Sequence, residues 1–154
     1  MEEGFDLAKL IHKGGVFTDV EGSTPEEIFE KICKMIDLPD SITSDQVYNA
    51  LCAREKILST AVGNGIALPH ARSPIIKEDE DQRICVVYLK NPMEMRAPDE
   101  KKVSVMFILL SSNSQTHLKV LASLAELFRK ASFRKLLEEK ASEPQLLNAI
   151  KELD

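Results

Sequence analysis

Apolar residues recur at helical spacing in four stretches of the chain. In the first, Thr24-Pro25-Glu26-Glu27 offers an N-cap threonine, a proline at the first helical position and a capping-box glutamate. Ile28, Ile32, Met35 and Ile36 then share one face. Thr43-Ser44-Asp45-Gln46 is a second capping box and leads into Val47, Ala50 and Leu51. A third helix is predicted from near Thr116, with Leu118, Leu121, Leu124, Ala125 and Phe128 as its apolar stripe. Ser142-Glu143-Pro144-Gln145 opens a fourth, carrying Leu146, Leu147 and Ile150. Ahead of all four, a short helix should end with Gly14 as its C-terminal cap. His12 then falls in its last turn, where it meets the helix dipole favourably.

Strand signals are fewer. Residues 84–89 and 103–110 are apolar runs, rich in β-branched side chains and of the length of buried strands. Residues 66–68 form a shorter run, and residues 16–20 a weaker candidate. The charged segment Lys77-Glu78-Asp79-Glu80-Asp81-Gln82 reads as a solvated loop between strands. The resulting order is helix, strand, two helices, three strands, two helices. Strands mixed with flanking helices predict an α/β (α+β) sandwich around one sheet.

Length and charge narrow the function classes. With 154 residues, the chain fits one domain, 1–154, and can build a core without staples. The formal net charge of −5 argues against non-specific nucleic-acid binding, and aromatics at 5% do not suggest base stacking. The acidic N-terminal segment Met1-Glu2-Glu3-Gly4-Phe5-Asp6 lacks the features of a signal peptide, and no apolar run is long enough for direct membrane insertion. Cys33, Cys52 and Cys85 are odd in number and widely spaced, which predicts neither a disulfide framework nor a zinc site and fits a cytoplasmic protein.

The candidate chemistry centres on two histidines. In Gly63-Asn64-Gly65-Ile66-Ala67-Leu68-Pro69-His70-Ala71-Arg72, an apolar run follows a Gly-Asn-Gly turn and is ended by a proline, which supplies no ladder donor. His70 is thereby placed at a strand end on a rigid backbone. His117 follows the run 103–110 and the polar loop Ser111-Ser112-Asn113-Ser114-Gln115. If the strands at 66–68 and 103–110 share a sheet, both histidines emerge at the same edge, where open α/β sheets place their sites. Two ordinary surface histidines would satisfy the same pattern. A neutral imidazole is a competent nucleophile and can take up and pass on a phosphoryl group, given cationic and hydrogen-bonding groups around the phosphoryl oxygens. Arg54, Ser59, Thr60, Arg72 and the backbone of the turn at Asn64 are candidate suppliers. No metal-ligand set, no G-x-S-x-G and no dinucleotide fingerprint accompanies them.

These motifs carry a family resemblance. Arg54-Glu55-Lys56, Ser59-Thr60 and the stretch from Gly63 to Arg72 resemble the enzyme IIA component of the bacterial phosphotransferase system, fructose/mannitol type. His117-Leu118-Lys119-Val120-Leu121-Ala122-Ser123-Leu124-Ala125 resembles that family's second signature. The resemblance covers nearly the whole chain and implies a single domain with a central mixed β-sheet flanked by helices. It implies His70 as the phosphoryl acceptor, His117 as the second active-site histidine and Arg54 as the stabiliser of phosphoryl charge. Ser59, Thr60, Asn64 and Arg72 take supporting roles, with neither cofactor nor metal. The implied partners are an HPr-type phosphocarrier as donor and, downstream, a IIB domain or a regulated target protein. The wording of the motifs is closest to the free-standing, nitrogen-related regulatory type. A sugar-specific IIA that donates to a separate IIB in fructose or mannitol uptake is the alternative, and a non-catalytic binding module a third. Ala61 stands where the pattern usually has glycine; alanine would be costly there if the position needed a positive φ.

Overall fold

The computed structural model describes residues 6–152. Residues 1–5 of the acidic N-terminal segment, and residues 153 and 154, lie outside the described residues. Among those described, six α-helices surround a five-stranded sheet: α1 (Leu7–Gly14), β1 (Val16–Val20), α2 (Pro25–Met35), α3 (Ser44–Ile57), β2 (Ala61–Gly63), β3 (Ile66–Ala67), β4 (Arg83–Met93), β5 (Val103–Leu110), α4 (Ser114–Phe128), α5 (Ala131–Glu138) and α6 (Glu143–Glu152). A single 3-10 turn, Asp79–Asp81, precedes β4.

The strand order is β1-β4-β5-β3-β2. β1 runs parallel to β4 and β3 parallel to β5, whereas β4–β5 and β2–β3 are antiparallel, so the sheet is mixed. Residues 84–89 of β4 and 105–110 of β5 are continuously apolar because both faces of the sheet are covered there. Successive side chains of a strand point to opposite faces. Cys85, Val87 and Leu89 therefore join Met106, Ile108 and Leu110 in one core, with Ile28, Phe29 and Ile32 of α2 and Val47 and Leu51 of α3. The alternate residues Ile84, Val86, Tyr88, Val105, Phe107 and Leu109 pack on the other face with Leu7 and Ile11 of α1, Val120 and Leu124 of α4, Phe133 of α5 and Leu146 of α6.

The helix starts follow their sequence signals. Thr24 accepts from the Glu27 amide at 3.2 Å, and the Thr43–Gln46 box is closed in both directions at 3.1 and 2.9 Å. Three features differ from the sequence reading. The α1 cap is Gly15, at φ 92°, because Gly14 is still helical and presses against β4. A Cβ on Gly14 would lie 2.0 Å from the Ile84 carbonyl oxygen, so only glycine fits. His12 does lie in the last turn of α1, as expected, and also pairs through Nδ1 with the Glu143 carboxylate at 2.6 Å, linking α1 to α6. α4 starts at Ser114, capped by Asn113, and its stripe is Val120, Leu124, Leu127 and Phe128, with Leu118 and Ala125 exposed. The short strand β2 and the separate helix α5 complete the element order.

The turn between β2 and β3 gives Asn64 and Gly65 positive φ, 56° and 78°, the backbone of a tight hairpin whose twist matches its strands. Ala61 is not among the residues of positive φ; it lies in β2, opposite Ala67. Alanine therefore carries no backbone penalty there.

The segment 77–82 is a solvated loop as its charge suggests, with Lys77, Glu78, Asp79 and Glu80 exposed, but its end is anchored. Gln82 and Arg83 are buried, and the Arg83 guanidinium donates to the carbonyls of Asp81 and Asp37. The Asp79 carboxylate reaches across to the loop after β5. Burial of the next strand's first residues draws the charged turn onto the body of the protein.

Candidate functional site

His70 stands where β3 runs out. Pro69 follows the strand, and its carbonyl accepts the Leu109 amide at 2.9 Å, so the chain stays on the edge of β5 after the regular ladder ends. His70 then forms an isolated parallel bridge with Leu109. Its ring is half-buried, and Nδ1 lies 2.7 Å from the Leu68 carbonyl oxygen. A carbonyl only accepts, so Nδ1 carries the proton and Nε2 keeps its lone pair. Burial pushes the His70 pKa below its ordinary value; the Leu68 bond opposes this, Arg54 adds to the lowering and Glu55 opposes it. The imidazole is thus neutral at physiological pH, with one nitrogen committed and the other free.

His117 is the fourth residue of α4, and α4 begins beyond the end of β5 beside His70. The two rings are 4.9 Å apart between centroids and inclined at 61°. Nδ1 of His117 is 3.2 Å from the Ser111 hydroxyl. Burial, and secondarily the neighbouring His70, lower its pKa as well. Two imidazoles at this spacing do not readily carry charge together.

The end of α3 supplies the other side of the site. Arg54 donates through Nη1 to the carbonyl of Leu58, which folds the guanidinium back over the helix end. Glu55 accepts from both the amide and the hydroxyl of Thr60, at 3.0 and 2.7 Å. The buried Thr60 hydroxyl is therefore spent on a structural bond. Its carbonyl accepts the Leu68 amide at 2.9 Å. A continuous chain thus runs from Glu55 through Thr60 and Leu68 to Nδ1 of His70. Ser59 accepts the Ala61 amide at 3.1 Å, which leaves its hydroxyl proton unassigned.

Asn64 and Arg72 are not drawn into this cluster. Asn64 occupies the turn at the far end of β3, where its amide donates to Asp99 at 2.8 Å. It lines a cavity of about 400 Å³ together with Val62, Leu68 and Phe128. Arg72 is exposed and makes no hydrogen bond or ion pair among the described residues. Three large apolar side chains are exposed next to the site's residues in the chain: Leu118 follows His117, and Ile57 and Leu58 follow the Arg54 turn. Among the described residues no group of three or more His, Cys, Asp or Glu converges to hold a metal ion.

Sequence reasoning passed over Glu55 and Ser111. Glu55 did leave a signal: a carboxylate in the last turn of a helix opposes the helix dipole, and needs a compensating partner. Ser111 left none, since a serine after a strand is ordinary loop composition.

The model of the family described as "Phosphoenolpyruvate-dependent sugar phosphotransferase system, EIIA 2" matches residues 9–153. A protein of Pseudomonas aeruginosa named "Nitrogen regulatory protein" is 30% identical over 132 residues, covering 83% of this chain and 83% of that protein. The protein of the same name from Escherichia coli is 32% identical over 128 residues, covering 81% of this chain and 74% of that protein. Among solved structures, Nitrogen Regulatory Protein IIA-Ntr from Neisseria meningitidis superposes with a TM-score of 0.80 at 30% identity, covering 93% of this chain and 97% of that one.

Proposed function

The chain belongs to the EIIA 2 family of the phosphoenolpyruvate-dependent sugar phosphotransferase system, and on that premise we propose that it accepts a phosphoryl group on Nε2 of His70 from an HPr-type phosphocarrier and acts mainly as a regulatory IIA. The observation that carries the acceptor assignment is the Nδ1–Leu68 bond, which leaves Nε2 as the nucleophilic nitrogen. In the transfer, the Nε2 lone pair forms a bond to phosphorus. The donor's phosphorus–nitrogen bond breaks, and its electron pair returns to the donor imidazole. The Nδ1 proton remains on the Leu68 bond throughout.

His117 and Arg54 serve the phosphoryl oxygens. If the Ser111 hydroxyl donates to Nδ1 of His117, the His117 proton sits on Nε2 and is available to a phosphoryl oxygen. Arg54 supplies fixed positive charge close enough to depress the His70 pKa. Such preorganised donors do most of the work in phosphoryl transfer, which needs little covalent help from the protein. The apolar rim of Leu118, Ile57 and Leu58 is suited to receive the donor's docking face.

The regulatory assignment is supported by the relatives of 30% identity or more, which are named nitrogen regulatory proteins. A regulator needs only a surface whose affinity changes when about two negative charges appear at His70. The output on this reading is a protein contact.

The test uses phosphoenolpyruvate, the general phosphotransfer enzyme and HPr. An acid-labile, base-stable phosphate is expected on the protein and absent from His70→Ala. Equal labelling of that variant removes the acceptor assignment. Rapid and complete onward transfer to a fructose or mannitol IIB domain would overturn the regulatory one.

A further inference from the structure

We propose that Asp79, in the turn ahead of β4, is a positioning residue for the transfer reaction: it holds the loop and the helix start that present His117. The proposal rests on the reading of His70 as acceptor and His117 as its neighbour.

His117 is placed by residues 111–113, and each of these is held from the segment 75–82. The Ser111 carbonyl accepts the amides of both Ile75 and Ile76 at 3.1 Å, while its hydroxyl faces Nδ1 of His117. The Ser112 amide donates to Gln82 Oε1 at 3.0 Å, and Gln82 in turn donates through Nε2 to the Asp79 carbonyl at 3.1 Å. The Ser112 hydroxyl donates to Asp79 Oδ1 at 2.5 Å, and Asn113 Nδ2 donates to the same oxygen at 3.1 Å.

The bond to Asn113 has the most consequence. A carboxamide has a donor side and an acceptor side. With Nδ2 anchored on the carboxylate, Oδ1 is turned toward the Thr116 amide, which it receives at 2.7 Å as the helix cap. The Asn113 carbonyl accepts the amide of His117 itself at 3.1 Å. Asp79 therefore fixes the orientation of the cap, the cap fixes the first turn of α4, and that turn fixes where the imidazole stands relative to His70. Both bonds favour the carboxylate form and hold the Asp79 pKa below its ordinary value. Asp79 is itself exposed, so removing its side chain leaves no hole in the core.

Misplacing a catalytic group by an ångström can cost about 100-fold in rate. The experiment compares wild type with Asp79→Ala, with Asp79→Asn, which keeps an acceptor oxygen, and with Glu80→Ala as an exposed neighbour control. Single-turnover phosphorylation by phospho-HPr is measured against donor concentration, and the imidazole nitrogen resonances are recorded on unphosphorylated protein carrying 15N-histidine. In Asp79→Ala the limiting rate should fall by about 10- to 100-fold, the donor concentration at half-maximal rate should hold, and the His117 resonances should move while those of His12 do not. Asp79→Asn should recover most of the rate, and Glu80→Ala should match wild type. Unmoved His117 resonances in Asp79→Ala, or equal losses in the alanine and asparagine variants, overturn the proposal. If wild-type protein takes up no phosphoryl group, the acceptor reading falls by itself, and the His117 resonances still decide whether Asp79 positions the ring.

Discussion

Replacing Glu55 by alanine breaks the chain that holds His70 at its far end. The carboxylate receives two hydrogen bonds from Thr60, at 3.0 and 2.7 Å. Bonds to a charged group contribute about 1.5–3 kcal/mol each. Glu55 is partly exposed, so water recovers a share and the lower end applies, which makes the loss about 3 kcal/mol for the pair. For a chain of this length each kcal/mol moves the melting temperature by about 2–4 °C, so a drop of about 6–12 °C is expected. The kinetic effect comes through Leu68. With Thr60 released, its carbonyl no longer fixes the Leu68 amide, and the Leu68 carbonyl no longer defines the plane of the His70 ring. Phosphorylation by phospho-HPr should slow by at least about 10-fold even well below the melting temperature. Glu55→Gln keeps one acceptor oxygen and should lie midway in both measurements. Thermal unfolding by circular dichroism and single-turnover labelling supply the readouts. A Glu55→Ala protein that melts within about 1 °C of wild type and labels at the wild-type rate would refute the chain from Glu55 to His70.

Further outcomes follow from the same structure. The His70 pKa is depressed by burial, so labelling at fixed donor should rise with pH through a value below about 6.5 and level off above it. The same group adds stability that is fully present above the unfolded histidine pKa and is lost as pH falls through the depressed folded value, because the unfolded chain binds the proton first; His70→Ala should flatten that part of a stability–pH curve. Leu118→Asp should weaken phosphocarrier docking, seen as a raised half-saturating donor concentration, while changing stability by no more than about 0.5 kcal/mol, since Leu118 is 66% exposed. Gly14→Ala should destabilise by several kcal/mol, or prevent folding, because its Cβ would meet the Ile84 carbonyl at 2.0 Å; a change in urea midpoint too small to measure would contradict the packing of α1 on β4. Ala61→Gly should cost about 0.5–1 kcal/mol through lost strand preference, measured by the same urea titration.

What the sequence made legible is what is encoded locally. The caps at Thr24 and Thr43 and the apolar runs of β4 and β5 depend on neighbours within a few positions, and they read correctly. Helix α5 escaped because it lacks a side-chain cap and follows α4 after only Arg129 and Lys130, so its pattern merges with the preceding helix. The three-residue β2 is too short to show alternation, although Asn64-Gly65 marked its hairpin. Leu118 was assigned to the core because leucine at helical spacing usually lies there; beside His117 it faces outward. The Asp79 contacts could not be read at all, since their partners lie 33 and 34 residues away and a run of acidic residues carries no sign of them.

The doubly covered sheet has one more consequence, which concerns information. His70 is fastened by backbone to β5, whose side chains are packed on both faces. A phosphoryl group added at Nε2 arrives at the rim of a body that has little room to rearrange. On the reading of His70 as acceptor, the two states are then expected to differ by a local mark of charge rather than by a change of shape. A partner that distinguishes them must read that mark directly, by placing its own complementary or repelling groups over His70. On that reading the message is written on the surface where it is received.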